Sequence, residues 1–134
     1  MAPIMPARHE DWFRQAKRDL AQARHAMDGG FHEWACFSAQ QGAEKAVKAV
    51  FQRLGADAWG HSVAALLSEL PDVLKVPAEL LDSGKALDRH YIPPRYPNSL
   101  PQGVPGDYYT QREAEEALAH AEAIISFCEG HVLQ

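Results

Sequence analysis

The chain has 134 residues, 46% of them hydrophobic and 23% charged, which is typical of one globular domain and excludes a disordered or fibrous protein. Its formal net charge of −5 at pH 7 excludes a general nucleic-acid binder, because such domains gather excess Lys and Arg on one face. The sequence contains neither a signal peptide at its start nor the roughly 18 consecutive apolar residues of a membrane span, so we expect a cytoplasmic protein that has no membrane partner.

Two amphipathic helices are predicted in the first half of the chain. Residues 11–27 carry apolar side chains every three or four positions, and Gly29-Gly30 ends this helix because glycine accepts the left-handed conformation that closes helices. A longer helix is predicted over 31–54. Gly42 lies among alanines within it, which predicts close contact with a neighbouring helix, since glycine otherwise costs about 1 kcal/mol there. The apolar positions behind these predictions are Trp12, Ala16, Leu20, Ala23 and Met27, then Trp34, Phe37, Val47, Val50, Phe51 and Leu54.

Three more helices are predicted in the second half of the chain, over 62–70, 78–91 and 110–130. Five helices joined mainly by short loops predict an all-α fold, an up-and-down bundle of four or five helices. We expect a single domain over 1–134, with its core at about 11–131. The predicted helix caps are Ser62 for the third helix, and Thr110 with Glu113 as a capping box for the fifth.

The segment 87–98 gathers arginine, histidine and tyrosine on backbone that its prolines keep from being helical. Arginine matches phosphate oxygens in bidentate geometry and tyrosine rings stack on bases, so the segment is a candidate ligand-binding site. Alternatively, Arg89 pairs with Asp88 or a helix end, Tyr91 fills the core, and the prolines support a dimer contact. The candidate residues are Arg89, His90, Tyr91, Arg95 and Tyr96, with Tyr108 and Tyr109 as further aromatics.

Polar side chains on the second predicted helix offer another candidate. Gln41, Lys45 and Lys48 share one face at helical spacing. In the first interpretation of this face, Lys45 and Lys48 border an anion pocket that they share with Arg95. Alternatively, they face solvent and Lys48 pairs with Glu44, a pair worth a few tenths of a kcal/mol.

The sequence predicts no metal site, no cofactor and no nucleophilic catalyst. Cys128-x-x-His131 supplies only two of the four ligands that zinc usually takes. Cys36 and Cys128 are far apart in predicted helices, so we expect reduced thiols that pack in the core. The serines lack the glycine context of a nucleophile elbow.

Two stretches of the sequence resemble segments of a known protein family. Residues 34–50, WACFSAQQGAEKAVKAV, and residues 86–98, ALDRHYIPPRYPN, occur in this order, with His61 and Leu66-Leu67 between them. Together they resemble the HEPN family, whose name stands for higher eukaryotes and prokaryotes nucleotide-binding. The resemblance implies a helical bundle that forms a homodimer and is often encoded beside a minimal nucleotidyltransferase. In some branches of the family, the resemblance implies that the protein is the ribonuclease toxin of a toxin–antitoxin pair.

The chain departs from the arginine-to-histidine motif of the ribonuclease members, in which histidine follows arginine by four to six residues near the last helix. Arg89 and His90 are adjacent, Arg95 has no histidine before His120, and Arg112 reaches His120 only after seven intervening residues. The sequence therefore favours a member of the family that does not cleave RNA.

The leading hypothesis is a non-catalytic module that binds a nucleotide or another phosphate-bearing ligand, RNA included, and associates with a nucleotidyltransferase partner. Its predicted ligand-binding residues are Arg89, His90, Arg95, Tyr96, Lys45 and Lys48. The first alternative is a metal-independent endoribonuclease, with His90 or His120 as general base and Arg89 or Arg95 stabilising the transition state. The second alternative is a purely structural subunit that dimerises.

Overall fold

The computed structural model describes residues 7–133. They form five α-helices: α1 (His9–Asp28), α2 (His32–Arg53), α3 (Val63–Ser68), α4 (Ala78–Asp88) and α5 (Gln111–Val132). Short 3-10 turns lie at Asp72–Leu74, Pro97–Ser99 and Pro105–Asp107. The prediction of an all-α bundle is confirmed. Within 7–133 no helix is both long and apolar enough to cross a membrane. The first residues of the chain, on which the signal-peptide prediction rests, lie outside the described part.

The long helices α1, α2 and α5 enclose the core, with α2 packed along both of the others. Gly42 confirms the predicted close contact, because a Cβ at this position would lie 3.1 Å from the carbonyl oxygen of Ala16 on α1. The buried side of α2 is rich in alanine, which brings the three helix backbones close together. Its fully buried alanines are Ala35, Ala39, Ala43, Ala46 and Ala49.

The apolar pattern predicted for the first two helices is partly wrong. Phe13 is buried on α1 and Trp12 only packs against the edge of the core. On α2, Trp34 is 43% exposed and Leu54 48% exposed. Both residues lie outside the buried face of α2, which begins with Ala35 and Cys36. Trp34 instead meets Phe37 edge to face, with ring centroids 6.1 Å apart.

The fourth helix ends at Asp88, three residues earlier than predicted. The Asp88 carboxylate accepts hydrogen bonds from the Ser62 hydroxyl at 2.7 Å, from the Val63 amide at 2.6 Å and from the Ala64 amide at 3.3 Å. These bonds join the end of α4 to the beginning of α3. The chain beyond Asp88 turns away, so Tyr91 is not a helical core residue.

Gly84 lets α3 and α4 approach each other. A Cβ at this glycine would lie 2.9 Å from the backbone nitrogen of Ala64 and 3.0 Å from its Cα. Real Cβ atoms essentially never come that close to a backbone atom, so only glycine fits this crossing without a shift.

The predicted caps and thiols are confirmed. The Ser62 hydroxyl accepts a hydrogen bond from the Ala65 amide at 3.1 Å, and Thr110 and Glu113 form a reciprocal capping box. Cys36 and Cys128 are buried free thiols. Burial raises the pKa of Cys36 to about 12, assisted by nearby Glu113 and Glu33, and burial also raises the pKa of Cys128. Neither thiol has the low pKa of a reactive cysteine.

Candidate ligand-binding site

The segment after α4 places one arginine against three aromatic rings. The guanidinium carbon of Arg95 lies 4.6 Å from the ring centroid of Phe37, 4.7 Å from that of Tyr91 and 5.3 Å from that of Tyr96. The ring of His61 in turn stacks on that of Tyr91 at 4.5 Å, with planes 16° apart. We call these five residues, Phe37, His61, Tyr91, Arg95 and Tyr96, the Arg95 cluster.

The hydrogen bonding of Arg95 leaves its outer edge available. Its Nε donates to the carbonyl oxygen of Tyr91 at 2.8 Å, which fixes the plane of the guanidinium. No residue in the described range 7–133 accepts a hydrogen bond from its terminal nitrogens. The aromatic contacts add cation–π attraction, which is stronger where water is partly excluded. The planar guanidinium is therefore held ready for bidentate contact with two oxygens of an anion such as phosphate.

A buried carboxylate supports the cluster from α2. Glu44 lies 3.1 Å from the Lys48 ammonium, 3.2 Å from Nδ1 of His61 and 3.2 Å from Nε2 of Gln40. Gln40 also donates to the carbonyl oxygen of His61 at 3.0 Å. The imidazole that stacks on Tyr91 is thus held through both its ring and its backbone.

The structure corrects the interpretation of Lys48 as a solvent-facing residue. Its side chain is only 13% exposed and that of Glu44 only 7%, so the predicted pair exists but is largely shielded from solvent. Glu44 neutralises the charge of Lys48, and Lys48 reaches the Arg95 cluster only through Glu44 and His61.

Lys45 lies on the side of α2 that faces α1. Its ammonium lies 2.7 Å from Asp19 and 3.4 Å from the amide oxygen of Gln41. It borders a shallow 350 Å³ depression with Trp12 and other α1 residues. The structure therefore does not bring Lys45 into one pocket with Lys48 and Arg95.

Arg89 and His90 lie in a separate cleft between α4 and α5. This cleft has a volume of about 190 Å³ and is lined by Ala86, Arg89, His90, Glu113, Glu116, Ala117 and His120. His120 Nδ1 lies 2.9 Å from the Ser83 hydroxyl, and His90 Nδ1 lies 3.5 Å from that of Tyr109. Burial lowers the pKa of His90 below its ordinary 6.5, with Arg89 and His120 acting in the same direction against Glu113. The predicted pairing of Arg89 with Asp88 is not formed, because Asp88 bonds to α3.

Sequence reasoning misses two members of the cluster, Phe37 and His61, and it misses Gln40 among the residues that support the cluster. It assigns Phe37 to an apolar helix face, and it singles out His61 only for its place in the family pattern. A signal is present for Phe37, since Trp34 and Phe37 put two aromatics one helical turn apart just before polar Gln40. No local signal links His61 to Tyr91, because thirty residues separate them.

The two further tyrosines lie apart from the Arg95 cluster in the contacts that the structure shows. The hydroxyl of Tyr108 donates to the carbonyl of Gln102 at 2.8 Å. The ring of Tyr109 lies against that of His90, with centroids 5.6 Å apart. Tyr109 therefore belongs with the cleft of Arg89 and His90.

Within residues 7–133, no group of three or more His, Cys, Asp or Glu side chains has the arrangement needed to hold a metal ion. The chemistry open to the cluster is that of arginine and aromatic rings, namely anion binding and stacking.

A family model covers nearly the whole chain: the model described as "HEPN domain" matches residues 9–131. The chain belongs to the HEPN family. A relative of this HEPN protein from Methanocaldococcus jannaschii, named "Putative toxin MJ1304", is 27% identical over 123 residues, which cover 85% of this chain and 81% of that protein.

Solved structures agree with this membership. TT1696 from Thermus thermophilus is 44% identical with a TM-score of 0.91, covering 94% of this chain and 99% of that one. ST0689, described as an archaeal HEPN homologue, is 43% identical with a TM-score of 0.80, covering 96% and 99%. The HEPN domain protein TM0613 from Thermotoga maritima is 46% identical with a TM-score of 0.74, covering 92% and 98%. The HEPN fold of this chain is thus shown by sequence and by structure.

Proposed function

We propose that this HEPN protein is a non-catalytic module that binds a nucleotide or another phosphate-bearing ligand at the Arg95 cluster. One observation carries the proposal: the Arg95 guanidinium lies against three aromatic rings, and only its Nε is engaged in a hydrogen bond within residues 7–133. Its partners are aromatic rather than acidic, so no carboxylate competes with phosphate for the charge. Lys45 and Lys48, by contrast, are each paired with a carboxylate.

The exposed rings add a second recognition element. Tyr96 is 47% exposed beside the guanidinium, so a base or ribose has an aromatic face available next to the bound phosphate. A local site of this kind is compatible with the overall charge of −5, because a single small ligand needs only a local positive potential.

Isothermal titration with ATP, GTP and a short RNA tests this proposal. We expect binding by the wild type and a loss of roughly 10- to 150-fold in affinity for Arg95→Ala, since a charge-assisted hydrogen bond contributes about 1.5–3 kcal/mol. Arg112→Ala is the matched control, because Arg112 is 87% exposed in a surface pair with Glu116 on α5. Absence of heat at millimolar ligand, or equal affinities for the two variants, would show that Arg95 is not a phosphate site.

The proposed protein partner is a minimal nucleotidyltransferase, and the proposed assembly of this chain is a homodimer with residues 89–98 at or near the interface. Support comes from the family and from the exposed Ile92 and Tyr96, which are 51% and 47% accessible. Co-expression with a nucleotidyltransferase encoded next to this protein tests the first point. Sedimentation of wild type and Arg95→Ala tests the second, and an Arg95-dependent mass without any ligand binding would favour the purely structural alternative.

An endoribonuclease is the second candidate function, and a specific observation favours it. His90 and His120 line the same cleft as Arg89, although they are thirty residues apart in sequence. The lowered pKa of His90 keeps its imidazole neutral near pH 7, as a general base requires. The relative from Methanocaldococcus jannaschii is named as a toxin, and this name agrees with the endoribonuclease alternative.

Incubation of total RNA with the purified protein and chelator tests the nuclease candidate. Fragments that appear with wild type and disappear with both His90→Ala and His120→Ala would support it. The titration of ATP by these same variants provides the control, since loss of cleavage with unchanged ATP binding separates the two sites. Identical RNA profiles for wild type and variants would remove the candidate.

A further inference from the structure

The loop between α2 and α3 presents a tryptophan to solvent. Trp59 is 85% exposed, more than any other large apolar side chain that the structure describes. An indole usually buries roughly 150–250 Å² when it packs, so leaving it in water forgoes a large apolar contribution.

The residues around Trp59 are anchored, so its exposure is a property of the loop's geometry. The Asp57 carboxylate accepts a hydrogen bond from Gln52 at 3.1 Å, Ala58 packs against the core, and the carbonyl of His61 is held by Gln40. Gly60 has a φ of +97° and turns the chain between Trp59 and His61. Since both flanks are fixed, the indole is directed away from the core.

Trp59 is directed outward next to the Arg95 cluster. Its Cα lies within about 7 Å of the Cα of His61, the most that two residues of chain can span. The His61 ring stacks on Tyr91 at 4.5 Å, and the Arg95 guanidinium lies 4.7 Å from that same Tyr91 ring. The backbone therefore places Trp59 beside the His61 end of the cluster, so a ligand with its phosphate at Arg95 can extend past Tyr91 and His61 towards the indole.

We infer that Trp59 stacks on the base of a nucleotide whose phosphate is held by Arg95. The inference rests on the proposed function and makes it more specific: the ligand is a nucleotide, with a planar base, rather than a bare phosphate compound or a phosphorylated side chain. Tryptophan has a large, electron-rich face and tolerates any base, so it contributes affinity and not discrimination between bases.

The decisive experiment compares ATP with inorganic tripolyphosphate, which has the same phosphate chain without base or ribose. We expect Trp59→Ala to weaken ATP binding roughly 5- to 150-fold, the range of one base–aromatic stack, and to leave tripolyphosphate binding within about twofold of wild type. Trp59→Phe keeps a smaller ring and should fall between. Val73→Ala, at another apolar residue 79% exposed, should change neither affinity.

Fluorescence gives an independent measurement in the same titration. ATP should quench the wild-type tryptophan emission more strongly than tripolyphosphate does, and Trp59→Phe should lose that difference while any response of Trp34, which lies against Phe37, remains. Arg95-dependent binding of ATP that Trp59→Ala leaves unchanged would overturn this inference alone. Failure of the wild type to bind either ligand would overturn the proposed function and this inference together.

Discussion

The largely buried pair of Glu44 and Lys48 offers a quantitative test of how the site is supported. The change Glu44→Gln keeps the size and shape of the side chain and removes its charge. Lys48, only 13% exposed, then loses the carboxylate that lies 3.1 Å from its ammonium. His61 and Gln40 lose the negative charge of the same partner, so the effect extends to the residue that stacks on Tyr91.

Removing one partner of a buried ion pair costs about 3–5 kcal/mol, because the other charge stays buried without compensation. The ammonium of Lys48 keeps some access to water, and the amide oxygen of glutamine still accepts a hydrogen bond. We therefore expect the free energy of unfolding to fall by about 2–3 kcal/mol, below that range. Replacing both residues, as Glu44→Gln with Lys48→Met, should restore much of this loss, since no unpaired charge remains buried.

Urea unfolding monitored by circular dichroism measures these differences, provided that the slope of free energy against urea is the same in all variants. Arg112→Ala is the control for an ordinary exposed pair, and it should change the free energy by less than about 0.5 kcal/mol. A Glu44→Gln protein within about 0.5 kcal/mol of wild type, or a double variant less stable than the single one, would refute the reasoning.

Three further predictions concern stability. Gly84→Ala should lower the free energy of unfolding by about 1–3 kcal/mol, because the added Cβ overlaps the Ala64 backbone. In the control Gly130→Ala a Cβ meets nothing within 4 Å, so this change should raise the free energy of unfolding by up to about 1 kcal/mol. Equal effects of the two variants in thermal melts would contradict the close crossing of α3 and α4. Folding lowers the pKa of His90, so the unfolded chain binds the proton of this imidazole more readily, and stability should fall as the pH drops below about 6.5. In thermal melts between about pH 7 and pH 5, His90→Phe should lessen that fall. The same dependence of stability on pH in both proteins would argue against a buried neutral imidazole. Thr110→Ala should cost about 1 kcal/mol through loss of the capping box, and an unaltered melting temperature would mean that α5 does not depend on it.

Helix periodicity and capping chemistry predict most of this fold because they act over a few residues. The predicted span 31–54 for α2 differs from the observed helix by one residue at each end, and the capping box of Thr110 is formed as predicted. The predicted end of α4 is three residues late, and its last residue, Asp88, bonds to α3, a contact between distant parts of the chain. Such tertiary bonds leave no periodic signal.

The candidate site is predicted only in part for the same reason. Composition draws attention to Arg95 and Tyr96, and the structure places both in one cluster. Composition does not show that Arg89 and His90, only a few residues earlier, lie in a different cleft. The change of direction after α4 separates the two pairs, and it depends on packing that the local sequence does not encode. Whether any of these residues binds a ligand stays a prediction.

The bonds of Asp88 also have a consequence for motion in the native state. One carboxylate holds the amides of Val63 and Ala64 at the start of α3 while its own residue ends α4. The beginning of α3 therefore cannot open without releasing the end of α4, and the two should exchange their amide hydrogens as one cooperative unit. His61 precedes this junction and Tyr91 follows it, so the stacked pair in the Arg95 cluster should open and close with that unit.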